Sequence, residues 1–215
     1  ADRLSNLVEE LLDFSRMQSG RLSVNNMVPV NVTELLKTAA DMYGELAKKQ
    51  GIEVSFMQPA ESATVEADAD RLKQVFINII DNAVKYTEKG GLVLITQILE
   101  EGCVRITVKD TGVGIPAADI DHVKEKFFKS NKNVRGSGIG LAVADEIIKQ
   151  HKGLLFLEST EGVGTAVTVV LPLCEEEKTA HETVEETAEQ TAEPAYDSEA
   201  IAEKESDTLK GEENG

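Results

Sequence analysis

The sequence predicts an α+β domain, a two-layer α/β sandwich whose mixed, mostly antiparallel sheet carries helices on one face and is preceded by a long helix. Three observations predict it. Segments with apolar residues at helical spacing and segments that alternate every second residue both occur in quantity, so both layers are needed to account for the pattern. Two of the alternating segments, "LVLITQILE" and "CVRITVKD", are joined by Glu101-Gly102 alone, which is hairpin spacing. Finally, a 41% hydrophobic share of 215 residues is enough for one well-cored domain plus appendages.

The elements follow in order. "DRLSNLVEELLDFSRMQSGRL" places Leu4, Leu7, Leu11 and Phe14 at heptad spacing, widened by Val8 and Leu12, with Gly20 set to stop the helix. Residues 1–22 thus read as a helix whose stripe needs a partner, and residues 3–18 could pair with a second copy of the chain. The main domain spans 25–174. It opens with a helix capped by Asn31, with Glu34 three residues on, that ends at Gly51. A short strand "IEVSF" comes next, then "TVEAD", a second strand that leads to Asp68 as the cap of an amphipathic helix over 69–87. The Gly90–Gly91 turn introduces the hairpin. A glycine-rich loop "DTGVGIP", a short helix at about 117–125, a polar segment and a helix opened by "GSGIGL" follow, and the strands "LLFLEST" and "GTAVTVVLPL" complete the domain.

Charge is unevenly spread. Residues 175–215 hold 15 Asp and Glu against 3 Lys, whereas residues 1–174 hold 24 acids and 19 bases. The tail has almost no large aliphatic residues, so it cannot bury enough surface to offset its ordering entropy and reads as an acidic disordered segment. Cys103 and Cys174 lack close pairing or metal-ligand spacing, which fits reduced thiols. No run approaches the roughly 20 apolar residues of a membrane span. The expectation is a cytoplasmic domain without direct membrane contact, whether or not its parent is membrane-anchored. The acidic balance and the missing basic, aromatic face argue against nucleic acid.

Three stretches carry chemistry. Asn78, Asn82 and Lys85 recur at intervals of four and three and share one helix face, where amide oxygens suit Mg²⁺ and a lysine suits phosphate. In "DTGVGIP", Asp110 ends a strand and Gly112 and Gly114 let the backbone turn beside a ligand; a carboxylate matches an exocyclic amine such as that of adenine. "RGSGIGL" places Gly136, Gly138 and Gly140 on alternate positions at a helix start, where unpaired N–H groups attract anions. Its spacing matches neither a P-loop nor a dinucleotide-binding fingerprint.

In this order, Asn78 and Asn82, "DTGVGIP", "EKFF" and "GSGIGL" resemble the catalytic, ATP-binding domain of sensor histidine kinases, a Bergerat-type fold in the superfamily of gyrase, Hsp90 and MutL ATPases. The similarity covers residues 2–173, with the first helix similar to the second helix of the family's dimerisation and phosphoacceptor hairpin. It implies ATP and Mg²⁺ as ligands. Asn78 and Asn82 would hold Mg²⁺ and phosphates, Lys85 would contact phosphate, and Tyr86 would flank the nucleotide. Asp110 would bind the adenine amino group in a pocket shaped by Gly112, Gly114 and Ile115, with Thr165 supporting that side through water. Phe127 and Phe128 would edge a lid over about 129–135. Gly136, Ser137, Gly138, Ile139, Gly140 and Leu141 would receive the phosphates.

Two departures from the family pattern matter. Lys126 stands where many relatives have arginine, leaving Lys126, Lys129 and Arg135 as alternatives for the γ-phosphate cation. His122, His151 and His181 are the only histidines, and none sits in a phosphoacceptor pattern. The phosphoacceptor is therefore expected upstream of residue 1, in a longer protein. Superfamily ATPases place a glutamate base at the position of Asn78, and an amide cannot take a proton in that way, so kinase is favoured over hydrolase. Asp81 is expected to face elsewhere on the helix. The implied function is a protein-histidine kinase domain that donates the γ-phosphoryl group to a histidine of the same protein's hairpin and signals to a response regulator. The alternative is a nucleotide-responsive interaction module without kinase activity.

Overall fold

The computed structural model describes residues 12, 15, 24, 26–57, 59, 61–125, 127–130 and 137–174, all within the unit Ala1–His181. Leu12 and Ser15 are helical, while the remainder of the expected first helix and the tail from Glu175 lie outside the described residues. So do Lys126, Arg135 and Gly136.

Strand β1 (Val28–Asn31) runs directly into helix α1 (Val32–Lys48). Asn31 is the N-cap, its side chain accepting from the Glu34 N–H at 3.2 Å, which satisfies one of the helix's unpaired donors. Val32, Leu36, Ala39, Ala40, Tyr43 and Ala47 form the buried stripe of α1. Strands β2 (Glu53–Met57) and β3 (Thr64–Ala67) lead to helix α2 (Ala69–Tyr86). Asp68 caps α2 by accepting from Arg71 N–H at 3.2 Å, and Thr87 ends it by donating its hydroxyl to the Ala83 carbonyl at 2.7 Å. The hairpin β4 (Leu92–Glu100) and β5 (Cys103–Asp110) follows. A 3₁₀ turn (Ala117–His122) stands where the sequence predicts a short helix, and helix α3 (Gly140–Gln150) precedes the hairpin of β6 (Leu154–Thr160) and β7 (Gly164–Pro172).

The five-stranded sheet has the order β2-β4-β5-β7-β6; β2 runs parallel to β4 and every other pair is antiparallel. This is the predicted mixed, mostly antiparallel sheet. Pleating sends alternate residues to opposite faces. Val93 and Ile95 of β4, Val104, Ile106 and Val108 of β5, Leu155 of β6 and Val169 and Leu171 of β7 share the inward face. They merge with the stripes of all three helices into one core, led by Phe76, Leu36, Leu72, Ile79, Ile80, Ile147 and Ile148. Each such side chain contributes about 1.5–3 kcal/mol when fully buried. The outer face carries Thr107 and Thr168, hydroxyl to hydroxyl at 3.0 Å, and Arg105 paired with Glu100. The structure adds one strand to those expected: β1 pairs antiparallel with β3 in a separate two-stranded sheet.

Helices α2 and α3 lie side by side and are tied at both ends. The Asn78 amide donates to the Gly140 carbonyl at 3.1 Å where α3 begins. Where α3 ends, the buried His151 accepts from Asp68 N–H through Nε2 at 3.0 Å, and its Nδ1 meets the Ile147 carbonyl at 2.8 Å. Since the carbonyl only accepts, the proton sits on Nδ1 and leaves Nε2 as the acceptor. These two ties set the start of α3 against the middle of α2.

Candidate functional site

The cleft between α2, the start of α3 and the far ends of β5, β6 and β7 is lined at its base by Ile79, Val108, Leu157 and Val167. Strand parity explains what sits above this apolar floor. Asp110 continues the inward row Val104, Ile106, Val108, so the pleat that buries the core also drives a carboxylate into the cleft wall, where it is 5% exposed. Thr165 continues the inward row of β7 in the same way, and Ser159 that of β6.

Asp110 is held by two backbone donors, Gly112 N–H at 2.8 Å and Thr165 N–H at 3.2 Å, and both reach the same oxygen, Oδ1. Oδ2 receives no hydrogen bond from the described residues, so it is left for a donor in the cleft. Burial pushes the Asp110 carboxyl above its ordinary range, opposed by the two N–H bonds. Gly112 does not line the cleft but stands behind the carboxylate: a Cβ there would lie 2.2 Å from the Tyr86 carbonyl oxygen and 2.9 Å from Asp110 Oδ1. Gly114 lines it at φ +66°, where a Cβ would strike the Thr160 carbonyl at 2.0 Å.

The other end of the cleft is built from α2. Asn78, Asn82 and Lys85 line it, as their spacing predicts, and so does Tyr86, to which the family resemblance points. Asn78 spends its amide nitrogen on Gly140, which turns its oxygen away from that bond, and Asn82 makes no hydrogen bond among the described residues. Two carboxamide oxygens form an oxygen donor set, which fits a hard divalent cation that keeps waters and takes further ligands from phosphates. The expectation for Asp81 is corrected. It lines the cleft and pairs with Lys85, because a residue three after Asn78 and one before Asn82 flanks the same face rather than leaving it. Burial raises the Tyr86 hydroxyl, with the Lys85 charge opposing.

Ser137, Gly138, Gly140 and Leu141 border the cleft at the start of α3, whose N-cap, Ile139, offers no side-chain hydrogen bond. Among the described residues no side chain caps the first N–H groups of α3, which lie beside Asn78 as a ready anion site. Ile139 itself is a core residue, 1% exposed. A Cβ on Gly140 would have Asn78 as its nearest neighbour, Cγ at 3.6 Å, an ordinary van der Waals contact, so the fold does not demand glycine there. Phe128 and Lys129 face the cleft, and the His122 ring packs against Phe128 in a tilted arrangement, centroids 5.8 Å apart at 36°. Phe127 turns outward, 54% exposed, with φ +64°.

Asp81, Ser159 and the apolar floor of Val108, Leu157 and Val167 escape sequence reasoning. Parity along "CVRITVKD", "LLFLEST" and "GTAVTVVLP" is the signal that places Ser159 and the floor. Among the described residues, no helix is long and apolar enough to cross a membrane.

A family model described as "Histidine kinase-, DNA gyrase B-, and HSP90-like ATPase" matches residues 67–175. The chain is similar to the sensor histidine kinase WalK of Bacillus subtilis (strain 168), 34% identical over 183 residues, or 82% of this chain and 30% of that protein. It thus spans less than a third of that relative. Among solved structures, full-length ShkA in complex with AMPPNP superposes with a TM-score of 0.69 at 30% identity, covering 80% of this chain and 36% of that one. The histidine kinase ThkA in complex with the response regulator TrrA superposes with a TM-score of 0.66 at 27% identity, covering 81% and 48%.

Proposed function

This chain belongs to the histidine kinase-, DNA gyrase B- and HSP90-like ATPase family, and on that premise we propose that it is the Mg·ATP-binding catalytic domain of a two-component sensor histidine kinase. The observation that carries the reading is a cleft with opposite chemistry at its ends. One end offers the open oxygen of a buried carboxylate, Asp110, above an apolar floor. The other offers two carboxamides, a lysine and an uncapped helix start. A purine with an exocyclic amine fits the first and a polyphosphate fits the second. The AMPPNP complex of ShkA supports an ATP-type ligand.

In this reading Asp110 Oδ2 accepts from the purine amine, Val108, Leu157 and Val167 form the floor under the base, and Thr165 supports the same edge. The N–H groups at Gly140 and Leu141 receive phosphate oxygens, and Lys85 leaves Asp81 to meet negative charge. Asn78 and Asn82 would hold Mg²⁺ through their amide oxygens, and the ion would there neutralise charge on the phosphates. Phosphoryl transfer asks a protein mainly for positioning and electrostatics. The bond from the γ-phosphorus to the bridging oxygen of ADP breaks, a bond forms to the unprotonated imidazole nitrogen, whose lone pair attacks, and the proton on the other ring nitrogen is released to solvent. The imidazole belongs to the phosphoacceptor hairpin of the same protein, and a response regulator then takes the phosphoryl group. The ThkA–TrrA complex supports a partner of that class. These events are assigned to the cytoplasmic side, where ATP is available.

The test is to mix the chain with the histidine-bearing hairpin of its parent protein and γ-labelled ATP. Acid-labile, base-stable label on the hairpin supports the kinase. Firm ATP binding without label on histidine would instead support an interaction module, and release of labelled phosphate at a comparable rate would make it a hydrolase.

A further inference from the structure

Ser159 is the most heavily bonded hydroxyl next to the cleft, and no role for it follows from the function above. Its Oγ meets the Ile115 N–H at 2.9 Å, the Gly164 carbonyl oxygen at 2.9 Å and the Thr165 hydroxyl at 2.9 Å. It thereby joins the loop after β5 to both strands of the β6–β7 hairpin. A serine hydroxyl has one proton and two lone pairs. The Ile115 N–H can only donate, so it takes one lone pair. The Gly164 carbonyl can only accept, so it takes the proton. One lone pair remains for Thr165, and that bond therefore runs from the Thr165 hydroxyl to Ser159. The direction of all three bonds follows from counting alone.

Thr165 lines the cleft, and its backbone N–H is already bonded to Asp110 Oδ1. With its only hydroxyl proton committed to Ser159, Thr165 can offer the cleft nothing but an acceptor. Asp110 Oδ2 is an acceptor too. We propose that Ser159 is a specificity-determining positioning residue, which fixes the Thr165 proton so that the base end of the cleft presents two acceptors and no side-chain donor. Such an edge matches an exocyclic amine, with two N–H donors, directly or through one water. It opposes a 6-oxo purine, which puts an acceptor in the same place. A buried edge that leaves partners unpaired discriminates strongly. This inference rests on the ATP reading and adds to it how adenine is told from guanine.

Removing the Ser159 hydroxyl frees the Thr165 proton, and the threonine can then rotate and donate to a guanine oxygen. The experiment is equilibrium binding of ATP and GTP to the chain by calorimetry, with thermal unfolding run in parallel. Ser159→Ala is expected to shrink the ATP-to-GTP affinity ratio by about fivefold to tenfold, the scale of one hydrogen bond. Ser159→Thr, which keeps a hydroxyl, is expected to restore the ratio. Thr165→Val removes the oriented hydroxyl without touching the Ser159–Ile115 bond and is expected to lose discrimination to a similar extent. Adding Ser159→Ala to it should change the ratio no further. If Ser159→Ala does not fold, the Thr165→Val ratio decides. A ratio unchanged in either variant, or equal losses for both nucleotides, overturns the inference while wild-type ATP binding stands. Absence of ATP binding in the wild type would overturn the proposed function and this inference together.

Discussion

Replacing Asp110 by Asn changes the charge and one heavy atom at the base end of the cleft while preserving shape. The amide oxygen can keep the bonds from Gly112 N–H and Thr165 N–H that now fall on Oδ1. The amide nitrogen then takes the place of Oδ2 and presents a donor to the purine amine. Hydrogen bonds to charged groups contribute about 1.5–3 kcal/mol, so losing this one lowers ATP affinity by roughly 10- to 150-fold. Stability should move the other way. Burial raises the Asp110 pKa in the folded chain, so its contribution is fully present below the unfolded pKa and is lost as pH rises through the folded one. The uncharged amide carries no such loss, and Asp110→Asn should unfold at the same temperature as wild type or higher at neutral pH. Because the ionised form accepts from the amine, wild-type ATP affinity should begin to fall, on acidification, above the ordinary aspartate range. Calorimetry and thermal unfolding across pH check each part. Unchanged ATP affinity in Asp110→Asn would refute the assigned contact, and a collapse in melting temperature would make the carboxylate structural instead.

Four further substitutions separate ligand space from structural space. Gly114→Ala must place a Cβ 2.0 Å from the Thr160 carbonyl at φ +66°, so it should cost about 3 kcal/mol or more of stability, read from denaturant unfolding; Gly140→Ala, whose nearest neighbour is 3.6 Å away, should leave unfolding within about 0.5 kcal/mol and weaken ATP binding instead. Asn82→Ala should remove most of the Mg²⁺ dependence of ATP binding in titrations with and without the metal, and dependence retained in full would move the cation elsewhere. Burial pushes the Asp145 carboxyl up, but hydrogen bonds from Lys149 and Lys124 outweigh it and hold it below the usual range. Its contribution is therefore present above the unfolded pKa and lost as pH falls through the folded one, and Asp145→Asn should flatten that acid limb of the stability curve.

The readable parts of this fold are those whose causes are local. Asn31 and Asp68 cap the helices as the sequence predicts, because a cap and its helix lie within one turn. The β4–β5 hairpin is equally local. Strand β1 escapes because "VPVN" is short, mostly exposed and interrupted by Pro29; its partner lies in β3, paired at Val28 with Ala67. In the site, Asn78, Asn82 and Lys85 are legible from helical spacing, and the same spacing, applied evenly, argues for Asp81. Residues that act through distant partners carry no local mark. The clip from His151 to Asp68 spans 83 positions, and the bond from Ser159 to Ile115 spans 44. Gly112 shows both sides of this: its motif flags it as pocket-shaping, yet only the fold shows that it backs the carboxylate rather than facing the ligand.

The position of a bound purine in this cleft tests most directly the claim that Asp110 and the start of α3 form an adenine-nucleotide site. A crystal structure of the chain with a non-hydrolysable ATP analogue should place the exocyclic amine about 3 Å from Asp110 Oδ2, with the phosphates at the start of α3. A purine bound away from Asp110, or phosphates directed away from Gly140 and Asn82, would contradict it.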